Sequence, residues 1–160
     1  MSFTQEFNLL LKARYPIIYI TTIEEDRLEY TIRSCIKKNG NRGIYIWDFV
    51  EGYINNPNNN GIAKRNPLQA LEFIEKITPE TPAVFLLKDF NRFLTDVSIS
   101  RKLKNLIRIL KTQPKTIIIV APDVNIPNEF IDTITILEFQ LPQLNEIKKE
   151  LDRLIQSLNQ

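Results

Sequence analysis

The sequence predicts a three-layer α/β fold, in which a mostly parallel five-stranded sheet carries helices on both faces. Four short runs are continuously apolar, as is typical of strands that are buried on both faces of a sheet. A stretch with helical spacing lies between each successive pair of runs, as a parallel sheet with crossover helices requires. The runs are Ile17-Ile18-Tyr19-Ile20, Ile44-Tyr45-Ile46-Trp47, Ala83-Val84-Phe85-Leu86-Leu87 and Thr116-Ile117-Ile118-Ile119-Val120-Ala121.

Composition excludes several classes of site. The chain has 160 residues, of which 43% are hydrophobic and 25% are charged, and this predicts one domain with a real core. Its single cysteine, Cys35, excludes an internal disulfide, and we expect it to be a core residue. Because histidine is absent, the usual zinc sites and the commonest general base are absent too. No targeting segment and no apolar run of about 20 residues is present, so we expect no membrane span.

Capping residues place the first two helices. The first helix should end before Pro16, because the residue that precedes a proline avoids the α region, and it should pack on the sheet edge. Thr22 and Glu25 have the spacing of a capping box for the second helix, which should end at Gly40. The inward residues of the two helices are Phe3, Phe7, Leu10, Leu11, Leu28, Ile32, Cys35 and Ile36.

The middle of the chain contains one unusual polar segment. Residues 51–65 are rich in asparagine and poor in apolar side chains, which predicts a long exposed loop that is either functional or mobile. Asn66 and Pro67 then supply an N-cap and a first residue for a third helix. Ser98 or Ser100 should open a fourth helix.

The end of the chain combines a fifth strand with an amphipathic helix. Residues 134–139 alternate enough to form the strand, and the helix begins near Leu144. We therefore divide the chain into an α/β domain, residues 1–142, and a C-terminal helix, residues 143–160, which leads to a following domain. The apolar face of this helix needs a partner and contains Ile147, Leu151, Leu154 and Leu158.

The turn after the first strand lacks what a nucleotide site needs. Nucleotide-binding sheets carry a glycine-rich phosphate loop there, in which backbone N–H groups and a lysine hold the phosphates. Residues 20–26 contain no glycine and include three consecutive acids, Glu24, Glu25 and Asp26. Acids suit the positive end of a helix but repel phosphate, so binding in the usual mode is disfavoured.

The central strand lacks the second half of such a site. An ATPase strand should end in two carboxylates, one for magnesium and one for water. Here Lys88 and Asp89 offer one carboxylate beside a lysine, and we interpret Asp89 as paired structurally with Lys88 or Arg92. The fourth strand ends at Pro122 without a clear polar sensor. Together these features argue against a nucleotide triphosphatase and predict no cofactor.

Several sequence blocks nevertheless resemble one family in order along the whole chain. They are Lys12-Ala13-Arg14-Tyr15-Pro16-Ile17-Ile18-Tyr19-Ile20, Trp47-Asp48-Phe49, Arg65-Asn66-Pro67-Leu68-Gln69-Ala70-Leu71-Glu72-Phe73-Ile74, Ser98-Ile99-Ser100-Arg101-Lys102-Leu103 and Phe139-Gln140-Leu141-Pro142. In these blocks the chain resembles the N-terminal region of the family called hypothetical chloroplast reading frame forty-six, AAA-type ATPase-like proteins of algal plastids and cyanobacteria. The resemblance implies a degenerate AAA-like domain, with a P-loop NTPase-like core but no phosphate loop, ahead of an active ATPase domain. It also implies a location in the chloroplast stroma or the cyanobacterial cytoplasm, and a role in regulating photosynthesis.

One helix has a one-sided charge. Residues 101–115 contain no acid and form a basic amphipathic helix, which indicates either the solvated outer face of a core helix or a docking face for an acidic protein, nucleic acid or a membrane surface. Nucleic-acid readers usually add stacking aromatics, and this segment has none. The candidate partner-binding residues on this helix are Arg101, Lys102, Lys104, Arg108 and Lys111.

Three hypotheses follow. The first is a non-catalytic domain that positions or regulates an ATPase partner, or a following ATPase domain, through the last helix, the basic helix or both. The alternative is a nucleic-acid-binding module that uses residues 101–115. The third is a small enzyme built on Asp48, Lys88 and Asp89. The sequence leaves the oligomeric state open.

Overall fold

A six-stranded mixed sheet forms the centre of the domain in our computed structural model, which describes residues 1–40, 42–140 and 144–159. The strands are β1 Ile17–Thr21, β2 Gly43–Asp48, β3 Gly52–Tyr53, β4 Ala83–Lys88, β5 Lys115–Ala121 and β6 Thr135–Glu138. The helices are α1 Phe3–Lys12, α2 Glu25–Lys38, α3 Pro67–Lys76, α4 Val97–Leu110 and α5 Leu144–Leu158.

The strand order is β3-β2-β4-β5-β1-β6, and every neighbouring pair is parallel except β2 and β3. The predicted α/β fold class is confirmed. The predicted count of five strands is wrong, because β3 adds a sixth that pairs antiparallel with β2. It has only two residues and lies in the polar segment, so it has no apolar run to mark it.

Helices cover both faces of the sheet, which makes the three predicted layers. Tyr19 and Phe85 belong to the buried cluster on the face of α3 and α4, whereas Ile18 and Leu86 belong to the cluster on the face of α1 and α2. The strand residues are buried on both faces, which confirms why the apolar runs do not alternate. Cys35 is a core residue as predicted, with 3% exposure.

Of the three predicted helix N-caps, the structure confirms one and contradicts two. Asn66 caps α3 as predicted, since its side chain accepts a hydrogen bond from the Gln69 N–H at 3.0 Å. The capping box predicted for α2 is wrong, because Thr22 Oγ1 accepts from the N–H of Glu24, the N-cap residue. The serines predicted to open α4 are also wrong. Asp96 is its N-cap, and its side chain accepts hydrogen bonds from the backbone N–H groups of Ser98 and Ile99.

Residues 51–65 are mostly exposed, as predicted, but the segment is not wholly a loop, because Gly52 and Tyr53 form β3 and are buried together with Ala63. The exposed fractions of Tyr53 and Ala63 are only 1 and 2%. The Trp47 indole N–H donates to the Ala63 carbonyl oxygen at 2.9 Å, and the Tyr53 hydroxyl donates to the Ala70 carbonyl oxygen at 2.8 Å. Polar composition hid this segment because its packing depends on two aromatic side chains rather than on an apolar run.

Candidate functional site

Helix α5 presents an apolar stripe to solvent. Its members Ile147, Leu151, Leu154 and Leu158 are 41, 53, 59 and 78% exposed, and we call them the α5 stripe. Their spacing of four, three and four residues places them on one helix face. Every side chain described between residues 147 and 159 is exposed, so this part of α5 does not pack against the sheet domain. The predicted domain boundary at residues 142/143 lies outside the described residues.

Arg27 binds the chain just before α5, and we call its three contacts the Arg27 clamp. Arg27 Nε lies 2.6 Å from Glu24 Oε2, and its Nη2 donates to the Gln140 carbonyl oxygen. The guanidinium carbon of Arg27 lies 4.0 Å from the ring centroid of Phe139, a cation–π distance. Phe3 of α1 packs edge-on against the same ring at 4.8 Å, which confirms that α1 lies at the sheet edge. The sequence did not predict a role for Arg27, because its contacts with Phe139 and Gln140 join residues that are distant along the chain.

The basic residues of α4 lie on the outer side of a core helix. Leu103, Leu106, Ile107 and Leu110 of the same helix are buried against the sheet. Lys102 pairs with Glu75, and Lys104 Nζ lies 3.5 Å from Glu129 Oε2. The Arg101 guanidinium donates to Asn105 Oδ1, while Arg108 and Lys111 are exposed. Two of the five predicted cations are therefore compensated by carboxylates from neighbouring segments.

The two predicted surfaces do not form one cluster. Within the described part of the chain, no hydrogen bond or ion pair joins the basic residues of α4 to α5. The trio of the enzyme hypothesis lies together at the ends of the paired strands β2 and β4, but Asp48 and Lys88 are engaged in other contacts. Asp48 Oδ1 accepts from the N–H groups of Val50 and Glu51 at 2.9 Å, which makes Asp48 a turn cap.

The carboxyl edge of the sheet contains an ion-pair cluster that sequence reasoning missed. Lys88 Nζ lies 2.7 Å from Glu29 Oε1 and 3.9 Å from Glu25 Oε2. The predicted partnership of Asp89 with Lys88 or Arg92 is wrong, since no described ion pair contains Asp89. Instead, Asp89 adopts a left-handed backbone conformation (φ 58°), and its N–H donates to the Val120 carbonyl oxygen at 2.7 Å.

A cavity of about 200 Å³ lies beside this cluster, at the carboxyl ends of β1, β4 and β5. Burial raises the pKa of Glu25. Lys88 partly offsets this shift, whereas Asp89, Glu29 and Asp26 raise the pKa further. The cavity is therefore an electronegative recess. Its lining residues are Thr22, Ile23, Glu25, Asp89, Val120, Ala121 and Pro122.

No group of three or more His, Cys, Asp or Glu side chains in residues 1–40, 42–140 and 144–159 is arranged to hold a metal ion. None of the helices described there is long and apolar enough to cross a membrane.

Solved structures share this fold at low sequence identity. A RuvB protein of Thermotoga maritima superposes with a TM-score of 0.61 and 14% identity, covering 98% of this chain and 50% of that chain. A DNA replication initiation factor superposes with a TM-score of 0.55 and 14% identity, covering 98% of this chain and 49% of that one. At these identities the likeness shows the fold alone.

Sequence relatives are far closer. The chain is 71% identical over 159 residues to the AAA domain-containing protein ycf46 of Trieres chinensis, covering 99% of this chain but 32% of the relative. It is 62% identical over 158 residues to the protein of the same name from Guillardia theta, covering 99% of this chain and 31% of that relative. The chain thus spans about a third of the length of these relatives. The family model described as the N-terminal domain of SpoVK-like AAA ATPases matches residues 3–139, so the chain belongs to this family of N-terminal domains.

Proposed function

We propose that this chain is a non-catalytic domain that docks, through the α5 stripe, onto the AAA domain of the longer protein of which it forms the N-terminal part. The observation that carries the proposal is the exposed α5 stripe. An amphipathic helix in a folded protein normally buries its apolar face. A 15-residue helix with no packing partner is also marginally stable in water, so α5 needs a surface to cover it.

The relatives support a binding partner for the α5 stripe that belongs to the same polypeptide. The match to the family model ends at residue 139, close to the Arg27 clamp and five residues before α5 begins. About two-thirds of the Trieres chinensis relative lies outside the region of similarity, since this chain covers 32% of it. A tethered surface meets α5 at an effective concentration near millimolar, so a modest apolar contact is enough to hold it.

A second copy of the chain is a weaker candidate for the binding partner of the α5 stripe. Stable two-stranded coiled coils sustain their heptads over about three or four repeats. The α5 stripe runs from Ile147 to Leu158 and covers less than two. Two free domains joined by this contact alone would therefore separate at ordinary concentrations.

The non-catalytic half of the proposal rests on the carboxyl edge of the sheet. A bound nucleotide needs N–H groups and cations around its phosphates and a carboxylate for magnesium. The turn after β1 instead presents Glu24, Glu25 and Asp26, and the cation at the end of β4, Lys88, is engaged by Glu29 at 2.7 Å. These residues do not fit magnesium-ATP, and we assign the chain no catalytic step.

Magnesium-ATP is expected to leave the melting temperature of the chain unchanged. A ligand at a hundredfold excess over its dissociation constant stabilises the native state by about 2.7 kcal/mol, which is about 5–10 °C for a domain of this size. Differential scanning fluorimetry with 1 mM magnesium-ATP, compared with magnesium and sodium tripolyphosphate alone, measures the shift. A rise of several degrees that requires the adenine nucleotide would overturn the non-catalytic assignment.

A nucleic-acid-binding module is the second candidate, because Arg101, Arg108 and Lys111 lie on one exposed side of α4. It ranks lower because Lys102 and Lys104 already pair with carboxylates of the chain. Titration of the chain into labelled duplex and single-stranded DNA separates the two functions. Binding that weakens steeply between 50 and 200 mM salt, as counterion release predicts, favours this second function over docking.

The cellular setting is also part of the proposal. The matched relatives come from algae, including Trieres chinensis and Guillardia theta, which is consistent with a plastid origin. We place the protein in the chloroplast stroma, or in the cytoplasm of a cyanobacterium, with a role in regulating photosynthesis. Fractionation of plastids tests the location, and unchanged photosynthetic electron transport after gene disruption would contradict the role.

A further inference from the structure

The ion-pair cluster of Lys88, Glu25 and Glu29 joins two elements that are distant in the sequence. Alternation along β4 places Lys88 on the same face as Val84 and Leu86, the face that α2 covers. The ammonium therefore reaches the first two turns of α2. The side chains of Lys88 and Glu29 are only 19 and 22% exposed, so water screens this pair less than a surface pair.

The cluster spans the place where a nucleotide would act as a bridge. In open parallel sheets, ligands bind outside the carboxyl ends of the strands. A phosphate there contacts the start of the helix after the first strand, and its magnesium is held by a carboxylate on a neighbouring strand. In this chain the helix start supplies the anions Glu25 and Glu29, and the strand end supplies the cation Lys88. The two glutamates thus stand where the phosphate would contact the helix, and the lysine stands where the magnesium ion would contact the strand.

A cation between these two glutamates is electrostatically favourable. Glu25 and Glu29 are one helical turn apart, and like charges at this spacing destabilise a helix. Burial by itself lowers the pKa of the Lys88 ammonium, but the carboxylates of Glu29, Glu25 and Asp48 leave that pKa above the ordinary value. Lys88 therefore stays charged at neutral pH, where its ammonium offsets the repulsion at the start of α2.

We propose that the Lys88, Glu25 and Glu29 cluster substitutes for a bound magnesium nucleotide, fastening α2 to the end of β4 so that this edge of the domain stays assembled without a ligand. This inference rests on the proposed nucleotide-independent function. It adds a cause for that independence, since the bridging contacts are already made inside the chain.

A double-mutant cycle tests the bridge. Lys88→Met and Glu29→Gln are each expected to lower the melting temperature by about 4–8 °C, because each leaves a partly buried charge without its partner. The double variant should fall by clearly less than the sum of the two, since one interaction is lost only once. Lys102→Met is the matched control, because Lys102 also pairs with a glutamate, Glu75, but at a more exposed site. Its expected shift is below about 2 °C.

Glu25→Gln distinguishes the two carboxylates. Glu25 is the outer member of the cluster, 3.9 Å from the Lys88 ammonium, and burial raises its pKa. Its carboxylate therefore adds little stability at neutral pH, and Glu25→Gln should lower the melting temperature by less than Glu29→Gln does. Hydrogen exchange of residues 28–32, the first amides of α2 with acceptors within the helix, should be at least tenfold faster in Glu29→Gln, a conservative change that keeps the chain folded, than in the wild-type chain.

The outcomes separate the bridge from the proposed function. Additive effects in the cycle, a loss in Lys88→Met no larger than in Lys102→Met, or unchanged exchange at residues 28–32 would each overturn the bridge and leave the docking proposal standing. Stabilisation of the wild-type chain by magnesium-ATP would instead overturn the proposed function, whatever the cycle shows.

Discussion

Glutamate at positions 151 and 154 (L151E/L154E) is expected to detach the domain from the rest of the longer protein without unfolding it. Both leucines belong to the exposed α5 stripe, so the domain loses no core contact and its melting temperature should change by less than about 2 °C. Burying a leucine side chain stabilises an interface by about 1.5–3 kcal/mol, so loss of two weakens docking by roughly 100-fold or more.

Limited proteolysis of the full-length protein measures this loss. Cleavage within α5 should accelerate in L151E/L154E, because the rate follows the undocked population when opening is fast. Gln156→Glu with Asn159→Glu is the control, since it adds the same charge to α5 away from the stripe. Equal cleavage rates for the two double variants would refute docking through the α5 stripe.

Alanine at Gly52 is expected to be the most destabilising small substitution in the segment 51–65. A Cβ on Gly52 would lie 2.5 Å from the Ile62 carbonyl oxygen and 3.0 Å from the Lys64 amide nitrogen, both backbone atoms. The residue also has φ +72°, where a side chain adds strain. We expect a loss of about 3 kcal/mol, or about 6–12 °C in melting temperature.

Gly61→Ala separates contact from backbone strain. Gly61 has φ +85°, but a Cβ there would meet nothing within 4 Å. It should cost only about 1–2 kcal/mol, from strain alone. Urea unfolding of both variants gives the comparison, and equal losses would mean that Gly52 does not lie against the backbone of residues 61–64.

The layers of the fold were predictable because burial on both faces leaves a mark in the sequence. A strand such as β4 must be apolar at every position, and short apolar runs between helical stretches admit few arrangements. Strand β3 left no such mark. Its position depends on the turn at Gly52 and on the contact of Tyr53 with Ala70, which join residues 17 positions apart.

The candidate site divides in the same way. The α5 stripe was predictable, because the apolar face of a helix follows from the spacing of apolar residues within one segment. The contacts of Lys88 with Glu29 and of Arg27 with Gln140 were not, since each joins residues 59 or 113 positions apart. Their partners follow from the crossing of α2 over the sheet. The expected pairing of Lys88 with Asp89 failed because the Lys88 ammonium contacts Glu29 of α2, whereas Asp89 follows the end of β4 in the left-handed backbone conformation.

Hydrogen–deuterium exchange of α5 tests the docking proposal most directly. In the 160-residue chain, amides of residues 147–158 should exchange at close to unprotected rates, because α5 has no packing partner and is too short to be stable alone. In the full-length protein, the same amides should exchange at least 100-fold more slowly. Equal exchange in both proteins would contradict docking of α5, whether the helix is open in both or already protected in the isolated domain.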